Sequence, residues 1–233
     1  MLNKGTKFLF DFEHPDCYPS QGATLAAGQT IQNLVDGAPA AIVVGNSLTY
    51  ANKAIVFPGT SGNSLKIGGT TDYHFTNNSF LLGIWMLLDN NFSTAAYQGI
   101  LGRASGTNPP NLEMAIDSGP AGGLRPRGSV GTASLITSRQ GSTDLSLNVA
   151  HYLAVSWQGG TITFWIDGVN VSSLAAAGPL ANPSLDFTLG TMPGFGSFKG
   201  KVFRCSLEDL TVSGKTAAAQ VAANYAKQAG RFA

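Results

Sequence analysis

Charge is scarce in this sequence. Lys, Arg, Asp and Glu together supply 12% of its 233 residues, and the formal net charge is +1 at pH 7, whereas a soluble domain typically has about 25% charged residues. The surface must therefore be built largely from Ser, Thr, Asn, Gln and Gly. Such a surface has no basic stripe to attract a polyanion, so we expect no nucleic-acid partner.

Long apolar runs are missing as well. No run of about 18 consecutive apolar residues occurs, and this predicts that the chain does not insert into a membrane. The first residues, MLNKGTKFLFDFEH, contain no apolar stretch long enough for a signal peptide. The sequence therefore predicts synthesis and folding in the cytoplasm.

Cysteines and metal-binding motifs are equally scarce. Cys17 and Cys205 are too few for a disulfide scaffold and lack the CxxC or Cys/His spacing of a metal site. No Asp-rich loop suits calcium. The glycine-rich segment 192–201, MPGFGSFKGK, lacks the GxxxxGK spacing of a phosphate loop. We therefore expect ordinary thiols, no metal and no cofactor.

The most informative segment present is HYLAVSWQGGTITFWIDGVNVSS, residues 151–173. Gly159-Gly160 and Asp167-Gly168 suit two-residue hairpin turns, which divide the segment into three antiparallel strands. Counting from the turns gives the facing pairs: Leu153 with Ile166, Val155 with Phe164, Trp157 with Ile162, Ile166 with Val169, and Phe164 with Val171. That face is wholly apolar. The opposite face is mostly polar around Trp165, so we predict one buried and one solvated face, as in a sandwich.

Strand-like runs bounded by Gly, Pro, Asn and Asp recur along the chain. They cover residues 7–13, 41–44, 54–57, 65–67, 80–88, 99–102, 112–116, 152–158, 161–166, 185–190 and 201–212. Helical patterns are confined to a turn near 30–35 and a terminal helix over 215–230. The Pro/Gly-rich region 105–131 predicts long loops around 112–116. With no linker, the pattern predicts one all-β domain over residues 1–233, a two-sheet antiparallel sandwich with a short C-terminal helix.

Several segments in order resemble a known family. AIVFPG (54–59), SFLLGIWMLL (79–88), HYLAVSWQGGTITFWIDGV (151–169) and GKVFRCSLEDLTVSGKTAAAQVAANYA (200–226) are similar to the successive motifs of laminin G-like, concanavalin A-like lectin/glucanase domains, particularly their bacterial and viral branch. The resemblance covers nearly the whole chain and implies a jelly-roll sandwich. Phe203 and Arg204 stand where calcium-binding relatives have acidic residues, which supports the expectation of no metal.

Residues for catalysis are not apparent. Glycanases of this fold place acidic residues at alternate positions of one strand, whereas Glu208 and Asp209 are adjacent, and Asp11 with Glu13 lacks a third acidic residue. No Gly-x-Ser-x-Gly motif occurs, and His14, His74 and His151 have no acidic partner at motif spacing. We therefore expect that the protein is not an enzyme.

Two groups of residues are candidates for ligand binding. Trp165, with Asn170 opposite it, could stack on a sugar ring if its face of the sheet is solvated; the alternative is that Trp165 packs over Ala154 beneath a loop, as the tyrosine common at this position in relatives suggests. Arg125 and Arg127 lie in the Pro/Gly-rich region, where they are either ligand clamps or solvated charges.

Three functions remain compatible with the sequence, because this fold hosts many activities. The first is a non-enzymatic structural protein of a phage virion, in capsid decoration, a head fibre or the tail. The second is a carbohydrate-binding adhesin, and the third a glycan-active enzyme. Relatives act outside cells, yet no export signal is visible, and phage parts assemble in the host cytoplasm. We favour the virion protein, with other virion proteins and further copies of itself as partners and a cell-surface glycan as a secondary ligand.

Overall fold

The computed structural model describes residues 2–20, 22–68, 73–75, 79–90, 92, 97–104, 112–118, 124–131, 136–141, 144–175, 179–180 and 185–232. These residues form two antiparallel sheets, packed face to face around an apolar core, and two short helices. The predicted all-β sandwich with a C-terminal helix is confirmed. Neither helix is long and apolar enough to cross a membrane, within the part of the chain described.

The strands and helices follow the chain in a simple order. They are β1 (Thr6–Asp11), β2 (Thr30–Ile31), β3 (Ala41–Val44), β4 (Thr49–Ala51), β5 (Ala54–Pro58), β6 (Ser64–Ile67), β7 (Phe80–Leu88), β8 (Gln98–Arg103), β9 (Leu112–Ser118), β10 (Leu124–Gly131), β11 (Ile136–Gln140), β12 (Ala150–Gln158), β13 (Thr161–Ile166), β14 (Val169–Ala175), β15 (Phe187–Leu189), β16 (Gly196–Ser197), β17 (Lys199–Asp209), α1 (Leu210–Ser213) and α2 (Ala217–Gln228).

The strands divide into two sheets. Sheet I has the order β14-β13-β12-β7-β17-β5-β4, and β1 also pairs with β17. Sheet II has the order β11-β10-β9-β8-β15-β6-β3-β2, and β16 pairs in parallel with β8. Side chains alternate along each strand, so the inner residues of both sheets meet in one core. Cys17 and Cys205 are free and buried in this core, and burial raises the pKa of the Cys17 thiol to about 12.

The predicted meander of β12, β13 and β14 has the expected turns. Gly159, Gly160, Asp167 and Gly168 all have positive φ, between 49° and 85°. Every facing pair predicted between β12 and β13 is confirmed, and so is Ile166 with Val169. The pairing of Phe164 with Val171 is wrong. A register shift between Phe164 and Trp165 inserts one residue into β14, so Phe164 faces Ser172.

Three predicted segments need correction. Residues 124–131 form a regular strand, β10, rather than a loop. The Pro126 carbonyl accepts a hydrogen bond from Gly141 N, just past the end of β11. The N–H that proline lacks therefore does not interrupt the hydrogen-bond ladder between β10 and β11. The predicted helical turn near residue 30 is instead strand β2. The last strand ends at Asp209, whose carboxylate accepts a hydrogen bond from Val212 N and begins α1.

Helix α2 covers the outer face of sheet I. Thr216 caps its N-terminus by accepting a hydrogen bond from Ala219 N at 3.3 Å. Beneath α2 lies a second apolar group, the outer cluster: Ala54, Leu81, Trp85, Tyr152, Ala154, Trp165, Phe203, Leu210, Ala217, Val221 and Phe232. The prediction that this face of the meander is solvated is therefore wrong, because a helix distant in sequence packs on it.

Candidate functional site

A pocket of about 790 Å³ opens on the outer face of sheet I, next to the end of α2. We call it the helix-side pocket. Four aromatic side chains line it: Trp85 from β7, Phe203 from β17, Tyr225 from α2 and Phe232 after α2. Three of them belong to the outer cluster, and the fourth, Tyr225, packs against it and is half-buried. The packing of α2 on sheet I therefore creates the pocket.

The aromatic rings of the pocket are stacked. The Trp85 and Tyr225 rings lie 5.6 Å apart and are nearly parallel, at 7°. Phe232 stacks on Phe203 at 4.9 Å and contacts Trp85 at 5.5 Å. Such contacts contribute about 0.5–1.5 kcal/mol per pair beyond area burial. They hold the rings in fixed orientations, so the pocket has a rigid apolar floor.

Trp85 has an unusual feature. Its side chain is nearly buried, and its indole N–H has no hydrogen-bond acceptor among the described residues. Leaving a buried donor without an acceptor costs about 1–3 kcal/mol. The N–H itself exposes almost no surface, so Trp85 contributes its apolar ring to the lining of the pocket.

Polar side chains form the rim of the pocket. Asn52 and Lys53 come from the β4–β5 turn, and Asn148 precedes β12. All three have φ between 52° and 67°, a left-handed conformation that asparagine tolerates well. The Asn148 amide hydrogen-bonds to Asn90 Oδ1, and Lys53 Nζ lies 2.6 Å from Glu13 Oε1. Tight turns thus place amide groups at the mouth of an apolar pocket.

Arg231 forms one wall of the pocket and is tied to two carboxylates. Its guanidinium lies 2.9 Å from Asp11 Oδ2 and 2.7 Å from Glu13 Oε2, while Arg204 Nη1 lies 2.8 Å from Asp11 Oδ2. Burial acts to raise the pKa of Asp11, but Arg231 and Arg204 outweigh it and hold the pKa below its usual value. A hydrogen bond from Lys53 lowers the pKa of Glu13. These carboxylates are held in their ionised form and anchor the pocket wall.

Trp165 is not on a solvated face. It is only 8% exposed, it belongs to the outer cluster, and its indole N–H donates to Ser156 Oγ at 3.0 Å. The alternative prediction, in which Trp165 packs over Ala154 and is covered, agrees with this position, but the element that covers Trp165 includes α2 rather than a loop alone. Asn170 faces Trp165 in the register but is exposed on β14. Trp165 therefore offers no solvated ring to a sugar, and the role of the two residues in ligand binding stays a prediction.

Arg125 and Arg127 lie on β10, on the outer face of sheet II. Arg127 lies over the exposed Tyr97 ring at 4.9 Å and 3.5 Å from Glu113 Oε1. Burial raises the pKa of Glu113, and Arg127 offsets part of that rise. Arg125 lies 3.4 Å from Asp144. Both arginines are in ion pairs away from the helix-side pocket, and their role in ligand binding stays a prediction.

His151 has an acidic partner that motif spacing does not reveal. His151 Nδ1 lies 2.7 Å from Asp167 Oδ2, and Asp167 Oδ1 accepts a hydrogen bond from Tyr152 N at 2.8 Å. The second β-turn brings the pair together, so their separation in sequence gave no motif. Within the described ranges, no group of three or more His, Cys, Asp or Glu side chains could hold a metal ion.

The sequence interpretation missed the residues of the helix-side pocket. A signal was present, however. The outward-facing residues of β7 include the apolar Leu81, Trp85 and Leu87, and α2 carries Val221 and Tyr225 on one face. Two apolar surfaces without partners predict that helix and strand pack together. The Asn-rich turns that supply the rim carry no such signal.

Solved structures of similar fold include sugar-related proteins. Domain 4 of AbnA, a GH43 extracellular arabinanase from Geobacillus stearothermophilus in complex with arabinotriose, has a TM-score of 0.66 at 15% identity, over 95% of this chain and 98% of that chain. The binding domain of botulinum neurotoxin serotype D gives 0.68 at 11% identity, over 97% of this chain and 52% of that chain.

A further similar structure is Trypanosoma rangeli sialidase, with a TM-score of 0.61 at 15% identity over 89% of this chain. This chain spans only 32% of the sialidase. At such identities the likeness concerns the fold alone. No curated protein matches the sequence.

Family membership rests on the sequence itself. Residues 57–220, well over half of the chain, match the family described as the concanavalin A-like lectin/glucanases superfamily. The matched range runs from β5 into α2 and includes Trp85 and Phe203 of the pocket. The bacterial and viral branch of the family stays a prediction, but the resemblance to the family itself is confirmed, and the chain belongs to the concanavalin A-like lectin/glucanase superfamily.

Proposed function

We propose that the protein is a non-catalytic carbohydrate-binding module and that the sugar binds in the helix-side pocket. The observation that carries this proposal is the set of stacked aromatic rings, Trp85, Phe203, Tyr225 and Phe232, that lines this pocket. Sugars present apolar C–H faces that pack on aromatic rings, and hydroxyl groups that accept and donate hydrogen bonds. An apolar pocket with a few polar groups suits such a ligand.

The rim supports the same ligand class. Asn52 and Asn148 carry amides, which can both donate to and accept from hydroxyl groups. The similar arabinanase domain was solved with arabinotriose. Because fold does not determine function, that similarity supports the proposal only as an analogy.

The charge pattern favours binding over hydrolysis. Glycoside hydrolases use two carboxyl groups about 5–10 Å apart. Among the described residues that line the helix-side pocket, none is acidic. The nearby carboxylates of Asp11 and Glu13 are paired with Arg231 and held ionised. This arrangement suits a structural anchor better than a proton donor, so we propose a role without catalysis.

A glycan-array screen of the purified protein, followed by calorimetry with the best ligand, tests the proposal. Trp85→Phe keeps an aromatic ring but reduces the apolar area of the floor, so it should weaken binding less than the complete removal of a ring does. Tyr225→Ala removes a ring from the floor and should cost about 2 kcal/mol of binding free energy.

Tyr97→Ala is the matched control, because Tyr97 is an aromatic residue with 43% exposure next to Arg127 on sheet II. This variant should bind like the wild type. If Tyr97→Ala abolishes binding while the Trp85 and Tyr225 variants retain it, the sugar binds to sheet II and the assignment to the helix-side pocket is wrong. Absence of any glycan signal contradicts the binding function itself.

A second candidate is a structural protein of a phage virion, located in the particle and bound to other virion proteins. It is favoured by the low charge of the chain, 12% of residues, because extensive protein–protein contacts tend to exclude charge from their centres. Mass spectrometry of purified particles of a phage whose genome encodes this chain tests this role. Many copies of the protein in each particle would support the role. Detection of the protein only in the soluble lysate would contradict it.

A further inference from the structure

The turn between β13 and β14 lies against the helix-side pocket. Its two central residues, Asp167 and Gly168, have φ values of 49° and 85°. A β-carbon at position 168 would lie 3.0 Å from Tyr225 Cδ1 and 3.2 Å from Tyr225 Cγ, closer than most contacts that a β-carbon makes. The Tyr225 ring therefore occupies the space that a side chain at position 168 would take.

Asp167 anchors this turn to β12. Its backbone N–H donates to Tyr152 O at 2.8 Å. Its carboxylate accepts a hydrogen bond from Tyr152 N through Oδ1 at 2.8 Å, and its Oδ2 lies 2.7 Å from His151 Nδ1. A precise binding site needs supporting residues that are themselves held by hydrogen bonds. The turn has this property, because three contacts fix it to two successive residues of β12.

The same turn contacts two tyrosines that stack beside Trp85. The Tyr152 ring lies 5.5 Å from the Trp85 ring, and the Tyr225 ring lies 5.6 Å from it on the α2 side. The turn bonds to the backbone of Tyr152 and packs against the ring of Tyr225. Because Trp85 and Tyr225 come from a strand and a helix far apart in sequence, their spacing depends on contacts of this kind.

The first turn of the meander provides a comparison within the molecule. Gly159 also has a positive φ, 59°, in a two-residue turn. A β-carbon at position 159 meets no atom of the described residues within 4 Å. Glycine at 159 therefore serves the backbone conformation alone, whereas glycine at 168 also leaves room for the Tyr225 ring.

We propose that Asp167 and Gly168 are positioning residues of the helix-side pocket, and that their turn sets where Tyr225 stacks on Trp85. The effect on binding rests on the proposed function of this pocket, whereas the position of the ring can be measured without a ligand. A side chain at position 168 would displace Tyr225 from the floor and change the apolar surface offered to a sugar.

The indole ¹H–¹⁵N resonance of Trp85 measures the ring position in the full chain. The sequence has three tryptophans, and Trp85→Phe identifies the signal of Trp85 by its disappearance. Gly168→Asn introduces a residue that tolerates positive φ but whose side chain pushes on Tyr225. The Trp85 resonance should move, because a stacked ring shifts the signals of its neighbour. Gly159→Asn is the matched control and should leave the Trp85 resonance in place.

Affinity for the glycan selected by the array screen gives a second measurement. Gly168→Asn should weaken binding about two- to tenfold, the range that corresponds to one aromatic contact. Gly159→Asn should bind like the wild type. In a Tyr225→Ala background, Gly168→Asn should cause no further loss, because the ring through which it acts is absent.

Thermal melting confirms that each variant is folded, and Gly168→Ala gives an independent reading if Gly168→Asn fails to fold. An unchanged Trp85 resonance in a folded Gly168 variant overturns the proposal. So does an equal shift in Gly159→Asn, because strain in the meander would then be the cause. A resonance that moves only in the Gly168 variants supports the positioning of Tyr225, even where the wild type binds no glycan and the proposed function is wrong.

Discussion

The inner and outer faces of sheet I are covered in different ways. The inner face packs on sheet II through side chains such as Leu153, Val155 and Phe164, all buried and apolar. The outer face packs on α2 through large aromatic rings and through buried polar groups. There Gln220 Nε2 donates to Glu208 Oε1 at 2.8 Å, and Asn3 Nδ2 donates to Glu208 Oε2 at 2.8 Å.

This difference separates the source of stability from the proposed site of ligand binding. The core between the sheets is apolar and close-packed, so it supplies most of the folding free energy. The outer layer combines rings, amides and ion pairs, and its packing leaves a pocket of about 790 Å³ open. Substitutions in the outer layer can therefore change the shape of the helix-side pocket while the sandwich stays folded.

The largest expected effect is on the inner face. Phe164→Ala removes a ring that is 0% exposed from the core, and it should lower the free energy of unfolding by about 3–5 kcal/mol. Urea denaturation measures this change. A loss as small as that of an exposed substitution such as Val212→Ala would contradict the view that the inter-sheet core dominates stability.

A smaller effect is expected at the anchor of the outer layer. Asp11→Asn leaves Arg231 and Arg204 without their buried carboxylate and should cost about 3 kcal/mol. Because the pKa of Asp11 is lower in the folded protein than in the unfolded chain, this contribution is present above the unfolded pKa and is lost as the pH falls through the folded pKa.

Melting temperatures at decreasing pH measure this linkage. The wild type should lose stability in acid more steeply than Asp11→Asn does. Asp16→Asn is a suitable control, since the Asp16 side chain is 82% exposed and lies 3.7 Å from the His14 ring rather than in a buried ion pair. Parallel profiles of wild type and Asp11→Asn would show that Asp11 is not the group responsible.

The smallest effect is expected at the start of α2. Thr216→Ala removes the N-cap of this helix and should cost about 1 kcal/mol. Amide hydrogen exchange should show the loss in α2, with β12 and β13 unchanged. Thr216→Ser retains a hydroxyl and should restore protection. If β12 loses protection together with α2, the two faces of sheet I are coupled and the comparison fails.

The sequence contained most of the information about the inner face. Gly159-Gly160 and Asp167-Gly168 specify turns, and turns specify the pairing of β12 with β13. The bulge in β14 escaped prediction because one additional residue leaves no mark in the alternation of VNVSS. Strand β10 was not predicted because proline disfavours strands. Pro126 is tolerated because its missing N–H falls at the end of the hydrogen-bond ladder with β11.

The helix-side pocket could not be predicted in the same way. Its floor joins Trp85 to Tyr225, and its rim adds Asn52 and Asn148, from segments that are far apart in sequence. Local periodicity indicates that α2 and β7 each have an unpartnered apolar face, but not the geometry of their contact or the pocket that it leaves. For the same reason the alternation of the meander predicts a solvated face around Trp165, although α2 and its neighbours cover it.

The pairing of β1 with β17 has a consequence for how the protein is made. Thr6 faces Glu208 and Asp11 faces Arg204, so the first strand finds its neighbour only after almost two hundred further residues have left the ribosome. Until then β1 and the apolar β7 lack the strand that lies between them in the finished sheet. The nascent chain must therefore wait, incompletely folded, and ribosome-bound chaperones that shield apolar strands should increase its yield.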